Sequence, residues 1–234
     1  MTKILLTVPK KDDSITELNY FLQTQSADIY IFPEGFLSSG TIDQALDIIR
    51  KNDKFVIAGY KDLHHETIQE KALVIDRGRI IDEYTKCILT QAEKNKGKKP
   101  GTEIRCVETK FGKIGIPICY EIHFPEVARI MCMDGPVLLV NLIGTGMYHE
   151  LQYEQWTSIA KARAKENEIH IVGCSHYAGE IPLAYAFSCS GKKILEARGN
   201  YGCFPVELDF GESSQRVIHY FEDRLPDYFK KICE

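Results

Sequence analysis

Short apolar runs, each stopped by a residue able to do chemistry, constrain this chain more than any other feature. In GIPICYEIHFPE (residues 115–126) the apolar run over 114–118 ends at Cys119, followed by Tyr120, Glu121 and a His-Phe-Pro-Glu that reads as a helix start. ADIYIFPE ends at Pro33 and Glu34, and EYTKCIL places Lys86 at the end of another run. Each residue has an ordinary reading. Cysteine is often a small buried hydrophobe, and a strand-end acid or lysine is usually solvated. Yet strand tips hold side chains rigidly while letting them reach a pocket. An acid, a lysine and a cysteine ending separate strands can converge at one sheet edge as a base, an electrophilic stabiliser and a nucleophile.

The pattern between these runs sets the fold class. Strands are expected over residues 3–8, 28–32, 55–60, 137–142, 169–174 and 203–209, with Pro33 stopping the second. Helices are expected over 14–23, 41–51, 125–133 and 153–167, the first capped by Ser14 with Glu17 three residues on. Hairpins are expected for 71–75 with 79–84 across Asp76-Arg77-Gly78, for 105–109 with 113–118, and for 184–188 with 193–197. KNKGKKPG (94–101) reads as a basic loop. Strands joined partly by helices and partly by hairpins indicate mixed α/β sheets. About ten or more strands exceed one comfortable twisted sheet, so two packed sheets are expected in a single domain spanning 1–234.

Charge and cysteines narrow the partners. The 234 residues carry a net charge of −4, which gives no electrostatic reason to expect nucleic acid or an anionic membrane. No run approaches the roughly 20 apolar residues of a membrane span. The N-terminal apolar run is too short for a signal peptide, so a cytoplasmic protein with reduced thiols is expected. Eight cysteines without a C-x-x-C pair do not read as a zinc site, and no metal or cofactor is expected. Apart from Cys119, the cysteines at 87, 106, 132, 174, 189, 203 and 233 read as buried or inert.

IFPEGFL, EYTKCIL, GKIGIPICYEIHFPE and WTSIAKARAKENEIHIVGCSHYAG, spaced in this order over nearly the whole chain, resemble the nitrilase superfamily of carbon–nitrogen hydrolases. The resemblance implies a four-layer αββα sandwich that pairs with a second copy, and a Glu-Lys-Cys triad. Glu34 would be the general base, Cys119 the nucleophile, and Lys86 the oxyanion stabiliser, helped by the backbone N–H of Tyr120. A further family glutamate corresponds to Glu93. Many members have arginine where this chain has His123. The implied activity is hydrolysis of a small amide or N-carbamoyl amine through an acyl-enzyme. Nitrile hydrolysis and acyl transfer share the same triad.

Other roles are weighed beside these. Glu121 reads as an acid behind the triad or as a helix-start acid. Tyr60, His123, Asn141, Tyr148 and His149 are pocket candidates because they lie near strand ends. A Cys-His enzyme would draw its base from His149, His170 or His176. Ile118 and Tyr120 flank Cys119 where a nucleophile elbow favours small residues, which argues against that geometry. A thiol-bearing binding protein on the same fold is the non-enzymatic alternative. The segment 216–234 is a candidate contact with a partner subunit.

Overall fold

The computed structural model describes residues 1–63, 67–211, 220–221 and 223–233, the last three without side chains. Its elements run β1 (Thr2–Val8), α1 (Ser14–Thr24), β2 (Ile29–Ser38), α2 (Ile42–Lys51), β3 (Phe55–Asp62), β4 (Gln69–Asp76), β5 (Arg79–Thr85) and α3 (Gln91–Asn95). Then come β6 (Ile114–Gly115), α4 (Pro125–Met133), β7 (Leu138–Ile143), α5 (Glu150–Glu166), β8 (Ile171–Ser175), β9 (Leu183–Phe187), β10 (Lys193–Arg198) and β11 (Gly202–Leu208). A six-stranded sheet has the order β11-β1-β2-β3-β4-β5, and a five-stranded sheet the order β10-β9-β8-β7-β6.

Period-two alternation builds the layers. On the first sheet Ile4, Leu6, Ile29, Ile31, Ile57 and Val74 point into one cluster with the second sheet. Their neighbours Leu5, Tyr30, Phe32, Val56, Leu73 and Ile75 point the other way, against Leu18, Phe21 and Leu22 of α1 and Ala45 and Ile49 of α2. The second sheet is covered on its far side by α4 and α5, through Val127, Ala128, Met131, Trp156, Ala160 and Ala164. The result is the αββα sandwich that the resemblance implies. Both faces of the first sheet are covered, which is why its strands read as near-continuous apolar runs.

Three local expectations change. Asp13, not Ser14, caps α1, its Oδ1 accepting from the Thr16 N–H at 3.1 Å. Pro33 does not stop β2: pairing with β3 jumps from Phe32–Ala58 to Leu37–Tyr60, so residues 33–36 bulge opposite Gly59. The hairpin expected over 105–118 shrinks to a single bridge, Val107 with Ile114. Arg105 is drawn to β5, donating to Asp82 at 2.8 and 3.2 Å and to the Glu83 carbonyl at 2.6 Å. Pro117, which has no N–H, limits β6 to a short edge strand.

The β4–β5 turn is as expected, with Arg77 and Gly78 both at positive φ, the geometry of a type I′ hairpin. A Cβ on Gly78 would lie 2.4 Å from the Leu46 carbonyl and 2.5 Å from Arg50 Cβ on α2, whereas Gly135, also at positive φ, faces open space. Thermal melts of two variants separate strain from collision. Gly135→Ala is expected to cost about 1 kcal/mol, or about 2–4 °C in Tm. Gly78→Ala, which adds a backbone collision, is expected to lower Tm at least twice as far.

Candidate active site

Glu34 leaves the ladder because of the β2 bulge. A Cβ on Gly59 would fall 2.3 Å from the Pro33 carbonyl and 2.4 Å from Glu34 Cα, so only glycine lets this backbone pass. Gly144, just past β7, plays the same part for the side chain: its Cβ would meet Glu34 Oε2 at 2.5 Å. Lys86 follows β5 directly and is 1% exposed. Its Nζ donates to Glu34 Oε1 at 2.8 Å and to Glu93 Oε1 and Oε2 at 2.9 and 3.0 Å. Burial alone would push the ammonium toward neutrality, but the carboxylates of Glu34 and Glu93 overcome it and the proton is held more tightly than in a free lysine.

Cys119 opens a 3-10 turn, Cys119–His123, at φ +51. The sharp elbow that Ile118 and Tyr120 argued against is therefore present, without flanking glycine. The turn leaves the Tyr120 N–H ahead of its first internal bond, Glu121 N–H to the Ile118 carbonyl at 3.1 Å. The Cys119 thiol interacts with the Glu34 carboxylate and with the backbone amide of Gly144. Burial and then the Glu34 charge push its pKa up, while Lys86 and the Gly144 amide pull it down, leaving a protonated thiol at rest.

The strained turn is tied from behind. Glu121, fully buried, accepts from the Ile118 N–H at 2.8 Å, the Tyr84 hydroxyl at 2.9 Å, and the Cys87 and Ile88 N–H groups at 2.7 and 3.1 Å. One carboxylate thus joins the lysine segment to the cysteine turn. Asn141 does not line a pocket. It is fully buried, donates to the Pro117 and Cys119 carbonyls at 2.8 and 3.3 Å, and accepts from Trp156 Nε1 and the Tyr185 hydroxyl. Arg163 of α5 holds the far end of the turn through the Ile122 and His123 carbonyls.

Glu93 sits in α3, in a capping box: Thr90 Oγ1 accepts from the Glu93 N–H, and Glu93 Oε2 accepts from the Thr90 N–H. Burial would raise its carboxyl, but Lys86 outweighs that and holds its pKa down at about 2.

The remaining candidates scatter. His123 packs edge-on against Trp156 at 4.5 Å with Nδ1 3.2 Å from the Tyr120 carbonyl, directly under the turn. Tyr60 joins the apolar cluster on the α1–α2 side and meets Ser39 at 3.1 Å, so it does not line the site from the inner face. Tyr148 is exposed, and His149 caps α5, its Nδ1 accepting from the Gln152 N–H. His170 Nε2 meets the Asp209 carbonyl at 3.1 Å. His176 Nε2 donates to the Glu34 carbonyl at 3.0 Å, so this ring anchors the backbone of the acid. The seven described cysteines carry no disulfide. Cys87 and Cys203 are half-buried, and burial raises both thiols. The side chain of Cys233, and residues 216–219, 222 and 234 of the proposed partner segment, lie outside the described residues.

A model of the carbon–nitrogen hydrolase family matches residues 22–200. This chain belongs to the carbon–nitrogen hydrolase family. A probable nitrilase from Schizosaccharomyces pombe is 27% identical over 88% of this chain and 86% of its own. An N-carbamoylputrescine amidase from Arabidopsis thaliana is 23% identical over 91% of this chain and 80% of its own. A carbon–nitrogen hydrolase from Helicobacter pylori superposes with a TM-score of 0.89 over 100% of this chain and 98% of that one. At 16% identity that match speaks for the fold alone. This family member is a hydrolase acting on carbon–nitrogen bonds.

Two measurements test the supports of the site. Glu121→Ala leaves four donors without their acceptor and is expected to cost at least about 3 kcal/mol, lowering Tm by roughly 6–12 °C. His176 is pushed down to about 4 by burial, so between pH 6.5 and 4 the unfolded chain takes up a proton that the folded chain refuses. Stability from this group is therefore full above pH 6.5 and falls as pH drops, by about 2 kcal/mol between pH 7 and 5. Urea unfolding at the two pH values should show this loss in the wild type and a smaller one in His176→Gln.

Proposed function

We propose that this hydrolase cleaves the carbon–nitrogen bond of a small amide or N-carbamoyl amine through a thioester on Cys119. The observation that carries the reading is the meeting of the β2 bulge, the end of β5 and the cysteine turn: a buried ammonium 2.8 Å from Glu34, with the Cys119 thiol against the same carboxylate. The Arabidopsis relative's name supports the choice of carbamoyl and amide substrates.

Glu34 takes the thiol proton as the sulfur attacks the carbonyl carbon. Negative charge moves to the carbonyl oxygen, where Lys86 and the Tyr120 N–H stabilise it. Collapse breaks the C–N bond, and Glu34 returns its proton to the departing ammonia or amine. Glu34 then removes a proton from water, the resulting hydroxide adds to the thioester, and sulfur leaves and is reprotonated. The raised thiol pKa suits this order, because the proton moves with attack and no resting ion pair is needed. Glu93 keeps Lys86 charged through the cycle. The engagement of His149 Nδ1, His170 Nε2 and His176 Nε2 by backbone groups favours glutamate over histidine as the base.

Ammonia release from a panel of small amides, carbamoyl amines and nitriles, with intact-mass analysis, tests the reading. Turnover of amides or carbamoyl amines is expected, with an acyl adduct mapping to Cys119. Cys119→Ala should abolish turnover without lowering Tm, and Glu34→Gln should abolish it in a protein that still folds but melts lower, because the buried Lys86 ammonium loses a charged partner. Lys86→Arg should lose roughly 10²-fold in kcat, because a planar fork replaces a compact ammonium. An adduct on another cysteine, or turnover of nitriles alone, would overturn it.

A further inference from the structure

A second lysine continues the charge chain away from the thiol. Lys98 Nζ donates to Glu93 Oε1 at 3.1 Å, the same oxygen that accepts from Lys86, and to Glu70 Oε1 at 2.6 Å. The order is Glu34, Lys86, Glu93, Lys98, Glu70, with signs alternating at every contact. Glu70 is 5% exposed, and its other oxygen has no hydrogen-bond partner among the described residues. Three carboxylates share two ammoniums, so this buried group carries one net negative charge. Without Lys98 it would carry two.

The geometry of this extension is fixed by backbone. Gly97, at φ +74, closes α3 in a Schellman motif: the Lys98 N–H donates to the Glu93 carbonyl at 3.2 Å and the Gly97 N–H to the Lys94 carbonyl at 2.9 Å. Thr90 fixes the other end of the helix, so Glu93 and Lys98 come from one clamped turn. Residues 98–101 are then strapped along β4 and Lys86, by Lys99 N–H to the Ile68 carbonyl at 2.9 Å and Gly101 N–H to the Lys86 carbonyl at 2.7 Å. Glu70 is tied in as well, its carbonyl accepting the Lys86 N–H at 2.9 Å.

We infer that Lys98 and Glu70 are positioning residues that set the charge balance felt by the Glu34–Lys86–Cys119 site, acting through Glu93. This rests on the reading of Cys119 as the nucleophile. The charged and titratable groups facing the chain are few. Glu70 feels Lys98, Glu34 and Lys86; Glu93 feels Lys86 and Lys98; Cys119 feels Glu34 and Lys86, with the Tyr185 hydroxyl nearby. Burial keeps Tyr185 protonated, so it adds no negative charge, and burial raises Glu70, so this carboxyl is the one group here that can soften the loss of a lysine charge by taking up a proton. Lys94, Lys96 and Lys99 share the same basic stretch, and it is Lys98 whose ammonium meets Glu93 and Glu70.

Alkylation of Cys119 by iodoacetamide, followed against pH by peptide mass, needs no substrate and reads this balance directly. Lys98→Met removes a positive charge and is expected to move the midpoint of the alkylation profile up by about one pH unit. Glu70→Gln, nearly isosteric, should move it down. The double variant should return close to wild type, and Lys98→Arg should stay there. Opposite shifts that cancel cannot come from loosened packing, and if Lys98→Met fails to fold, the Glu70→Gln shift decides alone. Labelled Cys119 with an unmoved midpoint in the folded single variants would overturn this inference. Failure of wild-type Cys119 to react, with label on another thiol, would instead overturn the reading of the nucleophile.

Discussion

Lys86 carries its charge inside the protein, 1% exposed, between the carboxylates of Glu34 and Glu93. A lone ammonium there would cost several kcal/mol, and removing either partner would leave the other charge poorly matched. Much of the local architecture can be traced to this requirement. The bulge opposite Gly59 brings Glu34 out of β2. The capped turn of α3 brings Glu93 back to the end of β5. Gly144 leaves room for the Glu34 carboxylate beside the thiol.

The nucleophile depends on the same arrangement through Glu121. That carboxylate binds the Cys87 and Ile88 amides beyond Lys86 and the Ile118 amide before Cys119, so lysine and thiol cannot drift apart. Asn141 and Arg163 secure the turn from β7 and α5. A left-handed Cys119 is an uncommon conformation for a residue with a side chain, and it persists because the surrounding bonds over-determine it. Charge, strain and support thus form one connected unit at the seam of the two sheets.

The sequence was most legible where local chemistry and periodicity agree. The Arg77-Gly78 turn, the Pro125 start of α4 and the apolar strand runs all carry their causes within a few residues. It was least legible where a competing group, near or far in the chain, takes the partner that the local pattern suggests. Asp13 displaced Ser14 as a cap because its carboxylate reaches the Thr16 amide. The pull of Asp82 on Arg105 undid most of the hairpin over 105–118. Asn141 was expected in a pocket and lies behind the turn, since its hydrogen-bond partners come from β9, α5 and the cysteine segment.

The sequence by itself determined the mixed α/β layering, because period-two apolar strands and amphipathic helices can bury their faces in few ways. It also set Glu34, Lys86 and Cys119 just after apolar runs, and their order supported the family resemblance; that Glu34 sits in a bulge within β2 was a tertiary result. Only the tertiary structure decided which of the four lysines in KNKGKKPG joins the charge chain, and that Glu70 ends it. It also decided that His176 anchors the Glu34 backbone and that Glu121 binds two segments together. These are contacts between residues 28 to 142 positions apart, and no local pattern encodes them. Sequence spacing fixes which side chains follow an apolar run, but the packing of the two sheets fixes what each of them meets.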